Sequence, residues 1–220
     1  MNAIPRYRPL AGPAVLSSGF RPFFLLAVAW AALAIPHWVA VFAGAAELPT
    51  MLTPVVWHVH EMVFGYGAAT VAGFMLTAIP NWTGRMPLQG AALAALALLW
   101  LVGRIAILVS AAIGAVAAAV LDLSFPALFL AVIAREIMAG RNWRNLPMVA
   151  ALSLLLLGNL LVHLDAVGLA ATAAPGNRLG VATLLMLIGL VGGRIVPSFT
   201  RNWLAKQAPD SGPPAAFGWI

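Results

Sequence analysis

The chain is a succession of long apolar stretches separated by short segments in which polar and basic residues gather. Six of these stretches carry few charged residues, and each approaches the roughly 20 residues that an α-helix needs to cross a bilayer. The predicted spans are residues 22–46, 58 or 61 to 79, 88–107, 111–134, 146–164 and 179–199. Because each span satisfies its own backbone hydrogen bonds only as a helix, the pattern predicts an all-α, polytopic transmembrane bundle.

The composition supports a membrane protein without a separate soluble domain. Hydrophobic residues make up 63% of the chain and charged residues 8%, whereas soluble domains have about 25% charged residues. We predict that residues 1–204 form the transmembrane bundle. Residues 205–220 are predicted to form a polar, proline-rich linker, and its apolar end resembles the start of a truncated second half.

The basic residues predict an orientation. The net charge is +6, but the basic residues are scattered in short loops, which argues against a nucleic-acid partner. If the N-terminus is cytoplasmic, ten of the twelve lysines and arginines lie on the inner side, and only Arg104 and Arg178 lie outside. The positive-inside rule therefore predicts a multi-pass protein of the bacterial cytoplasmic (inner) membrane with a cytoplasmic N-terminus.

Histidine is the strongest metal ligand available, because the chain has no cysteine. The predicted orientation brings all four histidines into the outer, periplasmic leaflet: His37, His58, His60 and His163. Histidines from three helices at one depth are what a shared metal or cofactor site requires. The alternative is that these amphipathic rings only lie at the membrane interface.

The spacing of polar residues around the histidines predicts separate roles. On a regular helix His58 and His60 point about 200° apart, so they would serve different partners. If the helix instead begins after His60, the pair is extended, and a loop could bend both side chains onto one ion. Glu61 follows His58 by three positions and could support it or act as a weak ligand. Asn159 precedes His163 by four positions, so we expect its amide to orient that imidazole.

Small residues dominate the second span below His60, from Gly65 to Gly73. Such a face allows close packing of a neighbouring helix. The alternative interpretation is clearance for a flat macrocycle such as haem.

Besides Glu61, three charged residues lie within the predicted spans. Asp122 lies near the middle of its span, where a charge costs about 2.5–3.5 kcal/mol, so we expect it to face the bundle interior with a partner or to be protonated. Arg104 lies near a helix end and is expected to reach the interface. Arg194 follows Gly192 and Gly193 and precedes Pro197. This order suggests an irregular backbone around a buried guanidinium. Asp122 and Arg194 also support a second hypothesis, a transporter or proton-conducting bundle.

Several motifs in order along the chain resemble one known family. They are Ser17-Ser18-Gly19-Phe20-Arg21-Pro22-Phe23-Phe24, Trp57-His58-Val59-His60-Glu61-Met62, Gly73-Phe74, Pro80-Asn81-Trp82-Thr83-Gly84-Arg85, Leu121-Asp122-Leu123, Asn145-Leu146-Pro147 and the stretch from Gly192-Gly193-Arg194 to Asn202. Together they look like the NnrS family, from Gly19 to Trp203.

This resemblance implies a haem- and copper-containing membrane protein linked to nitric oxide stress and denitrification, with nitric oxide as a small-molecule ligand. It implies His58, His60 and His163 as the cofactor and metal ligands. Family members typically have a second half of similar size, so the resemblance also implies a missing C-terminal half or an oligomeric partner. No arrangement of residues identifies a catalytic acid, base or electron donor, so the sequence leaves open whether the protein is an enzyme.

Overall fold

The computed structural model describes residues 12–207, which are mainly helical and contain no strand. Two short 3-10 turns, Ala14–Leu16 and Trp143–Asn145, precede α1 and α7. The remaining elements are α1 (Phe20–Phe42), α2 (Pro54–His60), a π-helix (Glu61–Gly67), α3 (Ala68–Thr83), α4 (Gly90–Leu108), α5 (Ser110–Ile113), α6 (Ala115–Ala139), α7 (Leu146–Ala166) and α8 (Ala173–Gln207).

The prediction of an all-α bundle with six spans is confirmed for the described residues. Six helices are long and apolar enough to cross a membrane, the second being the continuous run of α2, the π-helix and α3. That second span begins earlier than predicted, at Pro54, because proline suits the first helical position after Thr53. The last helix, α8, continues to Gln207, so the first three residues of the predicted linker are helical.

Two predicted segments lie outside the described residues. Residues 1–11 include Arg6 and Arg8 of the orientation count, and residues 208–220 include the apolar end of the predicted linker. The predicted orientation of the N-terminus therefore stays a prediction.

Neighbouring helices pack in a defined order. The main contacts join α1 with α3, α4 with α6, α6 with α7, and α7 with α8. Bulky apolar side chains such as Phe23, Trp100 and Phe129 fill the core between them. By contrast, α1 exposes Leu25 and Leu33 by 64% and 67%. These exposed leucines fit a helix that faces lipid, where apolar surface needs no protein partner.

The hairpin between α4 and α6 brings two intramembrane charges together. Gly114 ends the short α5 with φ +87°, a backbone conformation that favours glycine. The chain therefore reverses within a few residues, and the C-terminal part of α4 packs against the N-terminal part of α6. Arg104 and Asp122 face each other across this contact.

Candidate metal centre

Arg104 lies at the centre of a buried polar network. Its Nη1–H donates to Glu61 Oε2 at 2.8 Å, and its Nη2–H donates to Asp122 Oδ1. All three side chains are at most 2% exposed. The guanidinium therefore links the second span to α6, and each carboxylate keeps one oxygen directed at other partners.

His60 is enclosed by oxygen atoms on both sides of its ring. Its Nδ1 lies 3.1 Å from Glu61 Oε1. Its Nε2 lies 2.9 Å from Asn159 Oδ1 and 3.3 Å from Asp122 Oδ2. Because carboxylate and amide oxygens accept hydrogen bonds, both ring nitrogens must carry a hydrogen unless a metal ion replaces one of them.

His163 and Asn159 reach the network from one face of α7, four residues apart. His163 Nε2 lies 2.9 Å from Asp122 Oδ2, and Asn159 Nδ2–H donates to the same oxygen at 2.8 Å. The two imidazole rings are 5.5 Å apart between centroids. Asp122 Oδ2 is thus the point at which both histidines converge.

The donor atoms of His60, His163 and Asp122 have a spacing that a metal ion could use. All three lie within 4.8 Å of one another, and the three residues are buried. Tetrahedral coordination with bonds of about 2.0–2.2 Å places ligand atoms about 3.3 Å apart. The two nitrogen–oxygen distances, 3.3 Å and 2.9 Å, are close to that value.

The formal charges of the network also call for an additional cation. With both carboxylates ionised, Glu61 and Asp122 contribute two negative charges and Arg104 one positive charge. One negative charge then remains among residues that are 0–3% exposed. A buried uncompensated charge is costly, so a proton on a histidine or a bound metal ion is needed for balance.

The π-helix of the second span supports this network. The Trp100 indole N–H donates to the carbonyl oxygen of Gly65 at 3.1 Å. A Cβ atom at Gly65 would lie 2.7 Å from Arg104 Nη1, so only glycine leaves room for the guanidinium. A π-helical turn is rare and often occurs at functional sites.

Close packing accounts for the small residues below His60. A Cβ atom at Gly73 would lie 2.7 Å from the Phe24 ring, and one at Gly67 would lie 2.8 Å from Leu184. Neighbouring side chains from α1, α4 and α8 thus fill this face. At these glycines, protein side chains rather than a macrocycle occupy the space next to the helix.

Three expectations about side-chain partners are wrong. Arg104 does not reach the membrane interface, because it is 2% exposed and pairs with two carboxylates. Asn159 contacts His60 and Asp122 rather than orienting His163. Glu61 contacts His60 rather than supporting His58, since the chain enters the π-helix at this residue.

Other expectations agree with the contacts. Asp122 faces the interior with partners, although it lies only about two turns from the start of α6 rather than near the middle. His58 and His60 do serve different partners, because the His58 ring stacks on Trp38 with centroids 3.9 Å apart. Of the three predicted ligands, the structure brings together only His60 and His163.

His58 lies next to this network without joining it. Its Nδ1 is buried and has no hydrogen-bond partner among the described residues. His37 makes an edge contact with Trp57, the residue before His58, with centroids 6.0 Å apart. All four histidines therefore lie toward one end of the bundle, and the assignment of that end to the periplasm stays a prediction.

Asp122 and Arg194 belong to separate sets of contacts. The Arg194 Nη1–H donates to Asn145 Oδ1 at 2.6 Å, near the opposite end of α7 from His163. Arg194 is only partly buried, and α8 is helical through residues 192–197, so the predicted irregular backbone is absent there. No contact in the described residues joins the two groups on which the transporter hypothesis depends.

The sequence did contain a signal for the role of Arg104. Glu61, Arg104 and Asp122 are ionisable residues of opposite sign in three different spans. Intramembrane charges usually face the interior and pair with one another. Treating the three as one set, rather than one by one, would have predicted the ion-pair network.

The fold and the network define a polytopic α-helical membrane protein with a buried histidine–carboxylate–guanidinium centre. A model of the NnrS protein family matches residues 14–219, nearly the whole chain. The chain belongs to this family, and it is thus a membrane protein related to nitric oxide stress. Neither a curated protein nor a solved structure shows significant similarity to it.

Proposed function

We propose that this chain binds copper and haem in the bacterial inner membrane and acts in the nitric oxide stress response or in denitrification. The observation that carries the copper assignment is the convergence of His60 Nε2 and His163 Nε2 on Asp122 Oδ2. Two imidazoles and one carboxylate suit copper, zinc and iron alike. Family membership favours copper among them.

The residues present fit a metal ion in two further respects. With both histidines neutral the network lacks one positive charge, and His60 Nε2 faces only acceptor oxygens, so a metal ion can take the place of a proton there. Glu61 would hold the other nitrogen of His60, as carboxylates do behind metal-bound histidines. When bound, copper would supply one-electron redox chemistry or a coordination position for nitric oxide. The residues themselves exclude water and keep the two imidazoles in place.

Haem requires a different place, because the buried network has no room for a macrocycle. We assign haem ligation in this chain to His58, since its Nδ1 is buried without a hydrogen-bond partner among the described residues. Met62, one turn later, lines an apolar groove of about 660 Å³ that continues past Tyr66 between α1 and α8. A cavity of this size is typical for binding a cofactor-sized ligand.

The test uses the full chain purified in detergent, with copper and iron quantified on the same sample. His60→Ala and His163→Ala should each abolish stoichiometric copper and leave haem in place. His58→Ala should remove the haem absorption bands, oxidised and dithionite-reduced, and leave copper. His37→Ala is the matched control, because it removes a histidine at the same end of the bundle that lies outside the network.

Full copper retention in both His60→Ala and His163→Ala would overturn the copper assignment. Full haem retention in His58→Ala would overturn the haem assignment. A shift of the haem spectrum on addition of nitric oxide would support the proposed ligand. The Asp122→Asn variant separates metal binding from the alternative of a proton-conducting bundle. If the chain is a metal-binding protein, this variant should weaken copper binding and leave proton flux in proteoliposomes unchanged.

A further inference from the structure

The opposite end of the bundle has a cleft with an apolar floor and a charged rim. The cleft has a volume of about 430 Å³ and lies between the ends of α3 and α6 and the loop that leads into α4. Leu76, Ile79 and Ile133 form part of its floor. Arg85, Arg135 and Glu136 form its rim. This pairing of surfaces fits an amphipathic ligand.

The rim carries a surplus of positive charge. Glu136 Oε2 accepts a hydrogen bond from Arg85 Nε. Its Oε1 accepts bonds from Arg135 Nε at 3.0 Å and from Arg135 Nη2 at 2.7 Å. One carboxylate thus holds two guanidiniums and leaves a net charge of +1. The Glu136 side chain is 13% exposed, whereas those of Arg85 and Arg135 are 42% and 68% exposed.

Both guanidiniums keep donors for a ligand. Within residues 12–207, the Arg85 guanidinium uses only Nε in hydrogen bonds to protein, and the Arg135 guanidinium uses Nε and Nη2. The remaining donors are both N–H groups on each of Nη1 and Nη2 of Arg85, both on Nη1 of Arg135 and the second on Nη2 of Arg135. Guanidinium groups bind phosphate oxygens through such paired donors.

We propose that this cleft binds the phosphate-bearing headgroup of an anionic membrane lipid, with part of an acyl chain on the apolar floor. The cleft lies at the end of the bundle that the basic residues predict to be cytoplasmic, at the level where α3 and α6 end. Basic pockets between transmembrane helices on that side are known to accept anionic lipid headgroups. The inference is independent of the proposed copper and haem sites.

The test titrates the purified full chain with phosphatidylglycerol or phosphatidylcholine in neutral detergent and counts bound lipids by native mass spectrometry. Each arginine near a membrane surface contributes a factor of about five in affinity for anionic lipid. We expect Arg135→Gln to lower phosphatidylglycerol affinity about fivefold, and Arg85→Gln with Arg135→Gln about 25-fold. Arg144→Gln, an exposed arginine at the same end but outside the cleft, should leave the affinity unchanged.

Glu136→Gln distinguishes lipid binding by Arg85 and Arg135 from a purely structural role of their ion pairs with Glu136. This variant removes the competing carboxylate and raises the rim charge, so phosphatidylglycerol should bind at least as tightly as in the wild type. A loss of binding in Glu136→Gln equal to that of the double arginine variant would overturn the proposal. Equal affinity for the two lipids in the wild type would also overturn it.

Competition with inorganic phosphate tests whether the cleft binds a lipid headgroup or free phosphate. Phosphatidylglycerol that stays bound in the presence of millimolar inorganic phosphate supports a lipid site. Displacement by phosphate, combined with phosphate binding that both arginine substitutions weaken, would overturn the lipid assignment in favour of a free-phosphate site.

Discussion

Arg104→Met tests whether the guanidinium holds the buried network together. The substitution keeps a long side chain but removes both ion pairs, to Glu61 and to Asp122. The two carboxylates are 0% and 1% exposed, so they would remain in the interior with less compensation. Removing one partner of a buried ion pair costs about 3–5 kcal/mol, and we expect a loss of that size in the free energy of unfolding.

The assay is denaturant unfolding in mixed micelles, followed by far-ultraviolet circular dichroism. A loss of about 3–5 kcal/mol corresponds to about 2.2 to 3.7 powers of ten in the unfolding equilibrium constant. Glu61→Gln in the Arg104→Met background should recover about 1 kcal/mol or more, because it removes one of the stranded charges. Arg144→Gln, on the exposed surface, is the control and should change stability by less than about 0.5 kcal/mol.

Two results would refute this reasoning. One is an Arg104→Met variant within about 0.5 kcal/mol of the wild type, because the ion pairs would then contribute little. The other is strict additivity of Arg104→Met and Glu61→Gln, which would mean that the two side chains do not interact.

Further predictions concern the support of the centre. Gly65→Ala should lower the free energy of unfolding by about 1–3 kcal/mol, because the added Cβ would lie 2.7 Å from Arg104 Nη1. The control is Gly189→Ala, where an added Cβ meets nothing within 4 Å. Equal stability of the two variants would contradict the prediction for Gly65. Trp100→Phe should cost about 0.5–1.5 kcal/mol in the same unfolding assay, since it removes the hydrogen bond to the Gly65 carbonyl. Glu61→Gln should weaken copper binding about 10- to 100-fold in a competition titration, whereas the exposed Glu47→Gln should not.

The transmembrane architecture followed from the sequence because span length and hydropathy are local properties. A run of about 20 apolar residues is enough to predict a spanning helix, whatever its neighbours are. For the same reason Asp122 could be assigned an inward-facing partner, since an isolated charge in hydrocarbon is costly. The order of the family motifs along the chain likewise needed no structure.

The tertiary structure decided which polar groups meet. Asn159 was expected to orient His163, one turn away on its own helix, but the packing of α7 directs its amide to His60 and Asp122. Residues 60 and 159 are far apart in the sequence, and their contact depends on how the second span and α7 are rotated about their axes. Interhelical contacts set that rotation, including the close approach of Arg104 to Gly65. Hydropathy therefore fixes how many helices cross the membrane, and side-chain packing between them fixes which charges and ligands form the site.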